Sequence, residues 1–319
     1  MRVTFLGTSG AVPTTERNPS AVLVARGGDR LLFDCGEGTQ RQMMRYTTGF
    51  DVEHVFLTHL HGDHVLGLPG LLQTRDFNGR ESPVAVHAPA GTRTQVERLV
   101  AATGDRPSYP VRVRQVEPGD VVLDRAEYEV RAIGVDHRAT AVGYALVEDD
   151  RKGRFDREKA EHELGIPPGP KYSRLHEGDP VEHDGRVVRP KEVVGPPRPG
   201  RKLVYTGDTR PCGSVVEAAD GADLLVHDGT FADDHAARAR ETAHATAREA
   251  AAVANRAGAE RLALTHLSSR YAGGGWRRLE EEAREAFDGA RAFVAHDGLV
   301  AEVPFPDSEE AFALSSADG

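Results

Sequence analysis

Three histidines and an aspartate crowd the stretch Thr58–His64 (THLHGDH): His59, His61, Asp63 and His64. They come directly after a short apolar strand predicted over Val55–Thr58. One histidine at a strand end is ordinarily packed or solvated. Four polar groups converging just past a hydrophobic run are costly unless something coordinates them. Gly62 is read as permitting the sharp turn that brings them together. The same logic, a polar residue just past an apolar strand, picks out His137 after Ile133-Gly-Val, Asp208 after Val204-Tyr-Thr-Gly and His266 after Leu262–Thr265. The set is five histidines and two carboxylates with no thiolate, which suits zinc and also manganese or iron. Seven ligands are too many for one tetrahedral ion. Two metal ions sharing a carboxylate fit better, held roughly 3.5–4 Å apart and generating hydroxide at neutral pH.

The elements that must carry these residues alternate along the chain. Strands are predicted at Val3–Leu6, Ala21–Val24, Leu31–Phe33, Val84–Ala88, Val121–Ile133, Leu203–Thr206, Leu224–His227 and Leu262–Thr265. Phe293–Ala295 and Leu299–Val303 read as a last strand pair. Helices are predicted at Thr39–Tyr46, Arg93–Ala102 and Arg278–Phe287, and Thr246-Ala-Arg-Glu249 is a capping box opening an Ala-rich helix that ends near Gly258. Strands first mixed and then alternating with helices imply an α/β fold of two mixed sheets with helices outside. The chain has 319 residues, 39% hydrophobic and 28% charged, enough for a substantial soluble core. No window is apolar enough to span a membrane, and the first residues read as a strand and not a signal peptide. Cys35 and Cys212 are the only cysteines, too few for a disulfide framework, so a cytoplasmic setting is the default. Both are read as packed small residues.

Residues 148–201 stand apart. They are charged, poor in large apolar side chains and broken by Ile166-Pro-Pro-Gly-Pro170 and Gly195-Pro-Pro-Arg-Pro-Gly200. This is too short for a separate domain and is read as a long protruding excursion, with a helix near Arg157–Leu164. Long loops of this kind are usually functional or disordered. The net charge of −10 taken alone argues against nucleic acid. Its distribution does not: Arg151–Lys202 holds 13 basic and 9 acidic residues, a net +4, and leaves −14 to the rest. Residues 1–306 are taken as one catalytic domain bearing this insert, and 307–319 as a frayed acidic tail.

With these motifs in place, the sequence resembles the metallo-β-lactamase superfamily through HxHxDH at 59–64, His137, Asp208 and His266. Within it the chain is similar to the ribonuclease Z family, which trims the 3′ trailer from precursor tRNA. The likeness runs through Phe5-Leu-Gly-Thr-Ser9, Arg17-Asn18, Asp34–Gln40, Gly207–Thr209, His266–Tyr271 and Leu164–Pro170. HxHxDH alone specifies only the superfamily; the last two stretches are much narrower. The resemblance implies an αββα sandwich and a tRNA-gripping arm at 148–201, with Arg151, Lys152, Arg154, Gly165, Pro167, Pro168, Gly169, Pro170 and Lys171 as its contacts. A grip on duplex RNA is electrostatic and shape-based. The resemblance also divides the ligands: one zinc on His59, His61 and His137, the other on Asp63, His64 and His266, with Asp208 bridging.

It further implies metal-hydroxide attack on the phosphodiester, leaving a 3′-hydroxyl on the tRNA. Asp63 would accept the water proton and His244 would protonate the leaving oxygen. Asp228 stands where the family has a glutamate paired with that histidine; being one methylene shorter, it puts the pairing in question. Arg270, four residues past His266, would hold a substrate phosphate bidentately. Thr15 stands where the family's loop from Pro13 to Asn18 has a lysine. The family is commonly homodimeric, with one subunit's arm serving the other's site; no other protein partner is implied. Two other readings compete. A hydrolase of small phosphodiesters, sulfates or esters would use the same metals but has no use for a basic arm. A catalytically silent RNA-binding protein has no use for a complete ligand set.

Overall fold

The computed structural model of the chain describes residues 1–104 and 106–317. Two sheets form the frame. The eight-stranded sheet runs, edge to edge, Ala313–Ser316, Leu299–Glu302, Arg2–Gly7, Ala21–Arg26, Asp29–Phe33, His54–Phe56, Val84–Pro89, Val111–Val116. The seven-stranded sheet runs Arg291–Val294, Arg261–Thr265, Leu224–Asp228, Lys202–Tyr205, Val142–Glu148, Tyr128–Gly134, Val121–Arg125. Both are mixed. His54–Phe56 lies parallel to its two neighbours, and Lys202–Tyr205, Leu224–Asp228, Arg261–Thr265 and Arg291–Val294 are all parallel.

Many of these strands are apolar at consecutive positions because both their faces are covered. In Ala21–Arg26, Val22 and Val24 point into the core between the sheets, while Ala21 and Leu23 face the outer helices. The inter-sheet core is centred on aromatics: Phe33 stacks on Phe56 at 5.0 Å, and Tyr144 and Tyr205 from the opposite sheet tilt onto Phe33. Helices Thr39–Arg45, Leu68–Phe77 and Arg93–Val100 cover the first sheet. Helices Gly213–Ala218, Ala247–Ala257 and Trp276–Ala286 cover the second. This is the αββα sandwich. Ala247–Ala257 packs closely because it presents Ala250, Ala251, Ala254 and Ala257, all buried.

Three expectations change. Arg291–Val294 and Leu299–Glu302 are not a hairpin. The first pairs with Arg261–Thr265 and the second with Arg2–Gly7, so His296-Asp297-Gly298 carries the chain from one sheet to the other. The tail is not frayed: Ala313–Ser316 pairs antiparallel with Leu299–Glu302, and Phe312 and Leu314 pack on the inter-sheet core. Positions 318 and 319 lie outside the described residues.

Residues 148–200 are also more than an excursion. With Phe305–Glu309 they form a compact unit of their own. Its small core is Ala160, Ile166, Leu175, Val181, Val188 and Val193, flanked by Phe155, Leu164, Tyr172 and Val194. It contains a π-helical turn at Lys159–Glu163, the helix Pro170–Glu177 and a hairpin of Val181–His183 with Arg186–Val188. Asp307, expected in a free tail, pairs with Arg151, Arg154 and Arg198 of this unit.

Replacing Phe312 by alanine tests the docked tail. The ring lies 6.0 Å from Phe293 and under Arg261. For a partly buried ring the loss should be about 1–2 kcal/mol of unfolding free energy, read from urea midpoints at constant slope. No change would mean that the tail is not docked.

Candidate metal centre

All seven ligand candidates stand at the same end of the two sheets because the strands that carry them stop there. His59, His61, Asp63 and His64 follow His54–Phe56. His137 follows Tyr128–Gly134, Asp208 follows Lys202–Tyr205, and His266 follows Arg261–Thr265. Gly62 does not supply an unusual turn: it opens the helical turn Gly62–Val65 and is not left-handed. That helical turn is what places His61, Asp63 and His64 together. Left-handed backbone occurs instead at His266, φ 61°, a strained conformation for a residue with a side chain. Gly10 makes it possible, since a Cβ there would sit 2.7 Å from the His266 ring.

The donor atoms fall into two groups around Asp208. On one side His59 Nε2 is 2.9 Å from His61 Nδ1, and His61 Nδ1 is 3.4 Å from His137 Nε2. Asp208 Oδ2 lies 3.5 Å from His59 Nε2 and 3.9 Å from His137 Nε2. On the other side His266 Nε2 is 3.1 Å from Asp63 Oδ2, and His64 Nε2 is 3.6 Å from it. Asp208 Oδ1 lies 3.3 Å from His64 Nε2 and 3.2 Å from His266 Nε2.

Four of the five rings are aimed through their other nitrogen. His64 Nδ1 meets Asp34 Oδ2 at 2.7 Å, His59 Nδ1 meets Thr58 Oγ1 at 3.0 Å, His266 Nδ1 meets Thr230 Oγ1 at 2.9 Å, and His137 Nδ1 meets the Ala243 carbonyl at 3.0 Å. Asp34 also accepts from the Thr58 amide and the Tyr205 hydroxyl. Such outer partners fix ring orientation in metal sites. Asp63 Oδ2 accepts the Ala11 amide at 2.7 Å.

The donor set fits divalent metal on two grounds. His64 Nε2 and Asp208 Oδ1 are buried and lack any hydrogen-bond partner. Leaving both groups so is expensive, and a cation between them removes the cost. The donors are also of the borderline and hard kind that bind such ions. The electrostatics differ between the two buried rings. Burial pushes the His59 pKa far down, helped by its neighbouring histidines. At His64 burial opposes charge, but Asp208 and Asp34 outweigh it and push the pKa well up.

Beside the cluster, His244 Nδ1 meets Asp228 Oδ2 at 2.8 Å. The shorter aspartate therefore does reach. Asp228 is fully buried and also accepts from the Thr230 amide and hydroxyl and the Thr209 amide. Burial opposes the His244 cation, but Asp228 and then Asp208 outweigh it and push the pKa up to about 9. His227 is buried, its Nδ1 turned to the Asp228 carbonyl, and serves the strand.

Arg270 is exposed, and its guanidinium forms no ion pair among the described residues. Arg17 is drawn inward, to Thr8 Oγ1 at 2.7 Å and the Ala295 carbonyl at 2.5 Å, and pins the loop that carries Ala11. In the smaller unit, Gly165, Pro167, Pro168, Gly169 and Pro170 are exposed around buried Ile166, and Lys152 is exposed. Lys171 donates to the Glu182 carbonyl, and Arg151 and Arg154 are held by Asp307. Sequence reasoning missed Arg210, which binds the His244 carbonyl and Glu249. Its place two residues after Asp208 was the one available signal.

The two facing sheets and the cluster at their strand ends define a metallohydrolase of the metallo-β-lactamase fold. Family models agree: the metallo-beta-lactamase superfamily matches residues 14–152 and a beta-lactamase superfamily domain matches 190–267. The chain is 65% identical over 310 residues to ribonuclease Z of Haloarcula marismortui, covering 97% of this chain and 99% of that one. It is 52% identical to ribonuclease Z of Myxococcus xanthus, covering 96% and 99%. The structure of human tRNase Z, short form, superposes with a TM-score of 0.69 at 28% identity, covering 96% of this chain and 100% of that one. The chain belongs to the ribonuclease Z family, and it is a metal-dependent endoribonuclease.

Removing bound metal with a chelator should lower the thermal midpoint, and adding back divalent ion should restore it. Ligand present at about 100 times its Kd stabilises by about 2.7 kcal/mol. An unchanged midpoint would show that His64 and Asp208 do not depend on a cation.

Proposed function

We propose that this enzyme removes the 3′ trailer from precursor tRNA, with two zinc ions per subunit. The observation that carries the reading is the full-length likeness to ribonuclease Z chains, an alignment of 310 residues that takes in the segment 148–200 as well as the metal centre. His59, His61 and His137 would hold one ion and Asp63, His64 and His266 the other, with Asp208 bridging; the two oxygens of Asp208 each face one group. When bound, the ions supply Lewis acidity at the phosphodiester and lower the pKa of the attacking water.

The chain's own residues do the rest. Asp63, fixed by the Ala11 amide, is the carboxylate placed to accept the water proton. Water oxygen bonds to phosphorus, the bond from phosphorus to the tRNA 3′-oxygen breaks, and His244 gives that oxygen its proton. Asp228 fixes Nδ1 of His244 and leaves Nε2 for this transfer. The products are a tRNA 3′-hydroxyl and a trailer with a 5′-phosphate. Arg270, with no carboxylate of its own, is free to take a substrate phosphate.

The arm reading rests on exposed Lys152 and the exposed Gly165–Pro170 turn. Arg151 and Arg154 share Asp307, so backbone and shape contacts at 165–170 carry more of the grip than their charges do. The reading also takes over the family's homodimer and a cytoplasmic setting. No described helix is long and apolar enough to cross a membrane.

Two experiments test this. End-mapping of a trailer-bearing precursor tRNA with zinc-loaded protein should show cleavage at the tRNA 3′ end, lost by about 10²-fold or more in Asp63→Ala. No cleavage with metal bound and tRNA intact would favour a small-substrate hydrolase. Deleting 151–197 should abolish tRNA cleavage and spare a small phosphodiester; equal loss of both would remove the arm from recognition.

A further inference from the structure

His244 lies just past the helix Ala236–Thr242, and its amide is held by the Ala239 carbonyl at 2.8 Å, whereas its carbonyl is held from outside that helix. Ala243 before it is left-handed, φ 58°, which is costly for a residue with a Cβ. After it, Ala245 and Thr246 lead into the helix Ala247–Ala257. The His244 carbonyl accepts from Arg210 Nη1 at 2.5 Å. The same guanidinium forks onto Glu249, with Nη1–Oε2 at 2.7 Å and Nη2–Oε1 at 2.6 Å. Glu249 in turn accepts the Thr246 amide at 3.0 Å, and Thr246 Oγ1 accepts the Glu249 amide at 3.1 Å. The other end of the clamp is tied to the metal loops. The Arg210 amide donates to the Asp136 carbonyl, next to His137, and the Thr209 amide donates to the same Asp228 oxygen that receives His244.

We infer that the Arg210–Glu249 pair is a clamp that sets the position of His244, making Arg210 a positioning residue for protonation of the leaving oxygen. This rests on His244 being the proton donor. The capping box of the helix is complete with Thr246 and Glu249 alone, so the bond from Arg210 to the His244 carbonyl has no part in it. That bond reaches one residue beyond the cap, to the side chain that Asp228 aims. The pair is mostly buried, at 17% and 22% side-chain exposure, so salt screens it less than a surface pair. Its fork fixes direction as well as distance, which an ammonium cannot do. Misplacing a catalytic group by about 1 Å can cost about 10²-fold in rate.

A leaving-group comparison separates positioning from plain stabilisation. The tRNA 3′-oxygen needs a proton to depart, while the nitrophenolate of bis(4-nitrophenyl) phosphate does not. Arg210→Met should lower kcat on precursor tRNA by about 10–100-fold with KM nearly unchanged. Its loss on the aryl diester should be at least about tenfold smaller. Zinc content, read by atomic emission, should match the wild type. Glu249→Gln, which keeps an acceptor for the Thr246 amide but loses the charge, should show the same bias to a smaller degree and covers the case of a poorly folded Arg210→Met. Equal losses on both substrates, or no loss on tRNA, in a variant that keeps its metals would overturn the clamp. His244→Ala is the control: if it loses both substrates equally, His244 is not the donor and the reading beneath the clamp fails first. If it shows the bias and the two clamp variants do not, the clamp alone is wrong.

Discussion

Asp208 is a carboxylate buried among imidazoles, and its Oδ1 faces His64 Nε2 with neither atom hydrogen-bonded. In an apolar interior such a pair is a liability, and the fold around it is arranged to hold the liability in place. Asp208 follows a central strand of one sheet, and His64 follows a strand of the other. Asp34 reaches across from the first sheet to Tyr205 of the second and to His64. The aromatic packing of Phe33, Phe56, Tyr144 and Tyr205 fixes the distance between the sheets close beneath. The spacing of ligands is therefore set by the core, and a cation completes what the core leaves unpaired.

The polar environment grades outward from that point. Of the ligand nitrogens facing Asp208, His64 Nε2 has no protein hydrogen bond, while those of His59 and His137 meet His61 and that of His266 meets Asp63. The distal nitrogens of His59, His64, His266 and His137 are committed, to Thr58, Asp34, Thr230 and a backbone carbonyl. One layer further, Asp228 holds His244, and Arg210 holds the backbone of His244. Each layer takes orientation from the one outside it, and the Arg210–Glu249 fork and the His244 amide are both anchored in helix-capping chemistry.

Much of this was legible from residue order. Strand ends followed by His or Asp gave the seven candidates, because strands that run the same way deliver their carboxyl ends to one edge. What failed, failed for physical reasons. His296-Asp297-Gly298 has the composition of a hairpin turn, yet Phe293 and Leu299 lie on different sheets; local turn chemistry cannot report which sheet a strand will join. The acidic tail hid a strand because only Phe312 and Leu314 in it are large and apolar. The arm looked coreless because Ile166, Leu175, Val181 and Val188 are spread thinly among charged, Gly and Pro residues, and only their tertiary meeting makes a core. Arg210 was one of many arginines, and its partners Glu249 and His244 are more than thirty residues away.

On the proposed tRNA-binding reading of residues 148–200, net charge is a poor guide to their contacts. A count of +4 over 151–202 suggested an electrostatic grip, but Asp307 comes from outside that span and engages Arg151, Arg154 and Arg198 together. Lys171 is likewise bound to its own hairpin. Charges committed to internal pairs still attract phosphate at long range, yet they cannot each make a short contact without giving up a partner. The exposed turn at 165–170 has no charge to commit, although its Gly165, Ile166 and Gly169 carbonyls are bound to His183, the Tyr172 hydroxyl and the Tyr172 amide. Its glycines and prolines offer a fixed shape, which suits a duplex recognised by form and keeps its geometry when salt weakens the Coulombic part.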